Sequence, residues 1–370
     1  MTETRNLMLP SDRFKLGLFS ANCSGGMSIT KVPERWHATW DDNLKLAKMA
    51  DAAGLDFLLP VARWIGFPGE MVDFMKSVLE TTTWAAGLLA STSKISVIST
   101  VHTAMNHPVV VAKQMATLDQ IGHGRAGINV VAGWFKPEYE AFGIELPTEH
   151  EVRYAYAQEW LDIIKKLWSS EERFDWDGTY FHLKNVHSDP KPYRGTVPIL
   201  NAAGSKEGRG FAVKNANYLF TPAIDLSRSV DEIRQIKGLA SEAQRKVDVV
   251  TFSHCVCRPT AQEALEYYKY FVGESDWAAV DYAVQMQFAT AKSFPHDLLA
   301  MIRERFAAGH GGFPLIGTPE QVADGIEALY KAGFAGTTLS FVNYVDEFPY
   351  FAETVLPILE KLGIRSVHPE

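Results

Sequence analysis

Short apolar runs of strand length recur along this chain with helical stripes between them, and that alternation restricts its architecture more than any other feature. Eight runs qualify: 14–19 (FKLGLF), 55–60, 95–101, 126–131, 197–202, 217–221, 247–257 and 336–342. Between them apolar residues return at helical spacing. Trp40, Leu44, Ala47 and Ala50 precede a stop at Gly54, and Phe74, Val78, Thr81, Ala85 and Leu88 form a second stripe. A third helix, 108–121, opens on Pro108, and a fourth, 153–168, carries Tyr154, Ala157, Leu161 and Ile164 on its inner face. Thr318-Pro319-Glu320-Gln321 is a capping-box start, Gly333 its stop, and a last helix covers 350–362. Every strand but one is followed by a credible helix, which predicts an α/β fold, a (β/α)8 TIM barrel with insertions. The connection from the fifth strand to the sixth is short but admits a helix. A doubly wound sheet would bring a Gly-rich dinucleotide turn after an early strand, and none is present.

With 370 residues, 46% of them hydrophobic, the chain is expected to form a single barrel domain over 1–370. The helical, aromatic stretch at about 260–312 exceeds an ordinary crossover and reads as an insertion, and 169–193 reads as irregular. No apolar run is long enough to span a bilayer, and the start lacks the apolar core of a signal peptide. A net charge of −8 argues against a nucleic-acid groove. Cys23, Cys255 and Cys257 form no disulfide framework, so reduced thiols and a cytoplasmic enzyme are expected. The histidines lack metal-ligand spacing, which predicts no metal, and no G-x-S-x-G elbow supports a serine hydrolase.

Two stretches carry chemistry. In 124–143 (GRAGINVVAGWFKPEYEAFG) a buried strand opens at Gly133 into a loop bearing Trp134, Phe135 and Glu138. Pro137 disfavours helix at Lys136, so a turn is expected before a helix begins. The loop suits a site at a strand C-terminus; the alternative is that the aromatics cap the sheet and Glu138 lies on a solvated helix start. In 201–210 (NAAGSKEGRG) small residues after the fifth strand lead into a helix N-terminus, with Ser205 as a hydroxyl donor and Lys206 or Arg209 for charge. That pattern fits a phosphate, or else a tight turn capped by Ser205; barrel phosphate sites more commonly follow the last two strands. His102, at the end of the third strand, is a catalytic candidate or a structural histidine. Trp64, Phe67, Trp134, Phe19 and Phe341 are expected to converge at the barrel mouth, which suits a planar conjugated ligand.

Together, the strings A-T-L-D-x-I-x-x-G-R and N-V-V-x-G-W, with K-P-E-Y-E-x-x-G, RYAYAQEW (153–160) and FDWDGTYFHL (174–183), resemble the bacterial luciferase-like flavin monooxygenases. The likeness covers 14–362 and lies in the branch of the pyrimidine-oxidising and dimethyl sulfone monooxygenases. It implies a two-component enzyme that takes reduced FMN from a separate NAD(P)H:flavin reductase and uses O2 to oxidise a small molecule. A nitrogen heterocycle or amide, with oxidative bond cleavage, is the first choice. A sulfone or other organosulfur compound, or a flavin itself, comes next. A deazaflavin-dependent dehydrogenase and a non-catalytic flavin-binding protein are the other readings on this barrel. The resemblance assigns Thr100 and Asn129 to the flavin and dioxygen position, and Tyr154, Gly204 and Ser205 to the FMN phosphate. It matches Trp134 and Glu138 to residues that hold the substrate and Arg63 to a flavin contact where the pyrimidine enzymes carry lysine, while Trp64 and Phe67 are expected at the substrate from their place at the mouth. The segment from Trp64 through Gly69 departs from the family pattern. A homodimer or homotetramer is expected, with no nucleic-acid or membrane partner.

Overall fold

The computed structural model describes Met8 and residues 13–67, 73–288 and 296–365. Its strands are β1 (Lys15–Phe19), β2 (Phe57–Leu59), β3 (Ser96–His102), β4 (Ala126–Val131), β5 (Phe174–Asp177), β6 (His182–Val186), β7 (Ile199–Ala202), β8 (Tyr218–Phe220), β9 (Asp248–Cys257), β10 (Phe313–Gly317) and β11 (Gly336–Ser340). Eight of them, β1, β2, β3, β4, β7, β8, β9 and β11, pair in parallel in that order, and β11 returns to β1. The sheet is therefore a closed (β/α)8 barrel. β10 pairs with β9 on the outside, from Phe313↔Ser253 to Gly317↔Cys257. β5 and β6 form a separate antiparallel hairpin within the stretch read from sequence as irregular.

The helices begin where local chemistry allows. They are α1 (Trp40–Ala52), α2 (Thr81–Ser91), α3 (Pro108–Ile121), α4 (Lys136–Ala141), α5 (His150–Ser169), α6 (Lys206–Asn215) and α7 (Leu226–Glu242). After them come α8 (Ala261–Gly273), α9 (Trp277–Gln287), α10 (His296–Gly309), α11 (Pro319–Lys331), α12 (Tyr344–Thr354) and α13 (Leu356–Lys361). The expected capping box at Thr318 is present, with Gln321 bonding back. The second helical stripe is shorter than its spacing suggested. Residues 73–80 run as bends, with Met75 at φ 51° and Val78 bridged to Cys23, and α2 starts only at Thr81. The Glu80 carboxylate stops the helix from extending backwards by accepting the N–H groups of Thr82 and Thr83. α4 begins at Lys136 itself, where a proline in the first turn loses no intrahelical bond.

Three apolar clusters divide the core. The barrel interior holds Phe57, Leu59, Ile98, Leu200, Tyr218, Phe220 and Val250, together with Met8. A larger shell lies between the strands and the outer helices. The third cluster sits over one side of the mouth, where Cys23, Met27, Phe74 and Met75 meet Phe271, Val280, Ala283 and Phe306. Burying each large apolar side chain contributes about 1.5–3 kcal/mol, so this cluster anchors the loops after β1 and β2 to α8–α10.

Candidate functional site at the barrel mouth

At the C-terminal ends of β3 and β4, Thr100 and Asn129 are register partners. The Asn129 side-chain amide donates to Thr100 Oγ1 at 3.2 Å, and that hydroxyl donates to the Pro60 carbonyl at 2.7 Å. Thr81 Oγ1 donates to the Thr100 carbonyl at 2.7 Å, fixing the strand end to the start of α2. Asn129 Oδ1 is buried and has no hydrogen-bond partner among the described residues. A buried amide oxygen left unpaired costs about 1–3 kcal/mol, so this atom marks a position where an N–H donor is wanted.

The loop after β2 is pinned by Asn22, which donates to the Val61 and Leu79 carbonyls and accepts the Val61 N–H. That places Arg63 inside the mouth with 4% of its side chain exposed. Its guanidinium carbon lies 4.7 Å from the ring centres of both Trp134 and Phe135. Its Nη1 stands 3.6 Å from Glu138 Oε2, and its Nε has no hydrogen-bond partner among the described residues. Glu138 is buried, and its Oε1 accepts the Trp64 backbone N–H at 2.7 Å. Burial lowers the Arg63 pKa, opposed chiefly by Glu138. Cys23, Tyr282, His102 and His310 lie within electrostatic reach of the same guanidinium. Burial pushes Cys23 up to about 12 and pulls His102 to about 3 and His310 to about 4, so the thiol stays protonated and both rings stay neutral near pH 7.

Arg63, Thr81, Thr100 and His102 border a cavity of about 20 Å³. Asn129 reaches this cavity only through its bond to Thr100, and Glu138 only through its contacts with Arg63 and Trp64.

The turn after β7 lies at the same end of the barrel. Ser205 caps α6 by accepting the Gly208 N–H at 3.1 Å. The Tyr154 hydroxyl from α5 comes within reach of Ser205, and its ring packs on Phe211 with centroids 5.6 Å apart. Gly208 permits this approach: a Cβ there would strike the Tyr154 hydroxyl and stand 2.6 Å from Ala203 Cβ. A Cβ at Gly204 would meet nothing within 4 Å, so the turn faces open space. First-turn N–H groups, the positive dipole end and two hydroxyls suit an anion.

The expected aromatic convergence is partial. Phe67 packs against Phe74, Phe135 and Tyr282, and Trp134 against Phe135. Trp64 is 45% exposed at the rim, edge-on to Phe142. Phe19 turns into the barrel against Phe220 and Phe252. Phe341 does not join them: it lies past the end of β11 and packs outward on Tyr344, Phe348 and Phe351. Sequence reasoning missed Asn22, Tyr282 and His310, whose roles depend on contacts far apart in the chain. Pro68 and Gly69, in the segment that departs from the family pattern, lie outside the described residues.

Comparison with known proteins gives this mouth a context. The family model described as luciferase-like monooxygenase matches residues 14–336. The chain belongs to the luciferase-like monooxygenase family. Within that family it is 29% identical over 365 residues to the FMNH(2)-dependent dimethylsulfone monooxygenase of Pseudomonas fluorescens, covering 95% of this chain and 96% of that one. It is 26% identical to the pyrimidine monooxygenase RutA of Acinetobacter baylyi, over 93% and 94% of the two chains. Among solved structures, riboflavin lyase with modified FMN and riboflavin superposes with a TM-score of 0.85 at 24% identity, covering 97% of this chain and 94% of that chain. The last match speaks to the fold alone. Among the described residues no helix is long and apolar enough to cross a membrane, and no His/Cys/Asp/Glu group is placed to hold a metal ion.

Proposed function

We propose that this protein is the oxygenase of a two-component, reduced-FMN-dependent system that adds one oxygen atom from O2 to a small molecule. One observation carries the reading: the buried, unpaired Asn129 Oδ1 beside Thr100, at the end of the barrel where this family does its chemistry. The residues present fit a flavin mononucleotide. Asn129 offers an acceptor for a ring N–H, and the Gly204–Ser205 turn with the Tyr154 hydroxyl offers donors and open space for a phosphate.

When bound, reduced FMN supplies the electrons that activate dioxygen; one oxygen atom enters the substrate and the other leaves as water. The chain's own residues bind, orient and exclude solvent. Asn129 and Thr100 fix the ring edge, with the Thr100 proton committed to Pro60. Trp134, Phe135 and Phe67 offer an aromatic wall on which a substrate would rest, with Trp134 at its solvent edge. We assign the substrate to the nitrogen heterocycles and amides first, with sulfones next. A separate reductase, a homodimeric or homotetrameric assembly, a cytoplasmic setting and a single domain with 260–312 as its insertion complete the proposal.

The test is dioxygen consumption with supplied reduced FMN, across a panel of pyrimidines, amides and sulfones, with product masses examined. Expected is one product heavier by one oxygen atom, or its cleavage fragment. Release of hydrogen peroxide alone, at the rate of free reduced FMN, overturns the reading.

A further inference from the structure

Arg63 is the least satisfied charge in the mouth. A buried guanidinium is normally paired and hydrogen-bonded, because removing it from water is expensive. Here it sits against two aromatic faces, and among the described residues its Nε has no partner and its one counter-charge, Glu138, stands 3.6 Å away. Glu138 is itself held in place by the Trp64 N–H. Of the donors in its planar fork, the Nε–H is thus left over, on a side chain that borders a cavity with Thr100.

We propose that Arg63 is the specificity-determining residue of this site, binding an uncharged substrate through a hydrogen-bond-accepting oxygen such as a carbonyl or sulfonyl. This role replaces the flavin contact expected of Arg63, and Glu138, expected at the substrate, becomes a positioning residue that balances and orients Arg63. Neutrality follows from charge counting. Arg63 and Glu138 sum to zero, and the buried His102 and His310 are neutral near pH 7. A carboxylate or sulfonate would leave a net negative charge beside this buried pair, whereas an amide or sulfone oxygen takes the free Nε–H without disturbing the balance. The inference rests on the oxygenase reading and narrows its substrate class.

The test uses matched neutral and anionic probes, dimethyl sulfone against methanesulfonate and uracil against orotate, with the FMN-loaded protein. Binding is followed by calorimetry. At least one neutral probe is expected to bind more tightly than its anionic match. Arg63→Met weakens that binding by about tenfold or more while FMN affinity moves less than about twofold. Glu138→Gln, which keeps the side chain's shape but removes its charge, shifts the preference towards the anion by about tenfold, and this variant carries the test if Arg63→Met fails to fold. Three results overturn the proposal: a wild-type protein that holds FMN but no neutral probe, an Arg63→Met protein with unchanged probe affinity, or a Glu138→Gln protein with unchanged preference. Failure of the wild-type protein to bind FMN at all instead removes the parent reading.

Discussion

Glu138 accepts the backbone N–H of Trp64 at 2.7 Å across 74 residues of sequence. One carboxylate oxygen thereby stitches the loop after β2 to the loop after β4, while its other oxygen faces Arg63. Removing the charge leaves Arg63 without its counter-ion. We expect Glu138→Gln to lower unfolding stability by about 2–3 kcal/mol, read as a lower urea midpoint with an unchanged slope. A stability equal to wild type would show that the pair contributes nothing to the fold.

Asn129 presents the acceptor on which the oxygenase reading turns. Asn129→Ala is expected to raise the hydrogen peroxide released per reduced FMN consumed by about tenfold or more, since a lost oriented contact in an active site costs about 3 kcal/mol. Peroxide assay against product yield checks it, and unchanged coupling would remove Asn129 from the oxygen chemistry.

Gly208 has a role that its lack of a side chain makes possible. Gly208→Ala drives a methyl into the Tyr154 hydroxyl and Ala203, spoiling the turn at the head of α6. FMN affinity should fall by about tenfold, with riboflavin, which lacks the phosphate, affected far less. Equal losses for both flavins would place the phosphate elsewhere.

Three buried histidines set an acid limit. Burial lowers His102 to about 3, His254 to about 3 and His310 to about 4, from an ordinary 6.5. Below pH 6.5 the unfolded chain takes up protons that the folded chain refuses. Stability is therefore full above 6.5 and is lost as pH falls towards the folded values, by about 1.4 kcal/mol per histidine per pH unit. Urea unfolding at pH 7, 6 and 5 should show this loss, and His254→Phe should reduce its slope. An unchanged slope in that variant would mean that His254 does not titrate in this window.

Much of the architecture was written locally. The eight barrel strands stand out because parallel strands buried on both faces become continuous apolar runs, and Thr318 and Pro108 announce their helices by cap chemistry. The β5–β6 hairpin escaped notice because its strands are half-exposed and mixed in character. Its turn is fixed from a distance, by Glu159 accepting the N–H groups of Thr179, Tyr180 and Phe181 and the Trp176 indole. β10 was hidden by Pro314, which is tolerated there because the strand lies at the edge of the sheet. Phe74 and Val78 matched a helical period that Glu80 overrides. In the site, Thr100 and Asn129 were legible from strand ends. The Arg63 environment was not, because Cys23 reaches it from the loop after β1, Tyr282 from α9 and His310 from the turn after α10.

β10 lies directly alongside the last five residues of β9, so the chain leaves the barrel at Cys257 and comes back next to its own point of departure. An excursion with neighbouring ends adds little closure entropy of its own, but this one does not stand apart from the cylinder. Ser28 and Thr30 donate from the loop after β1 to the Ala308 and Phe271 carbonyls, so any change in the length of α8–α10 is felt at once by the loops that frame the mouth.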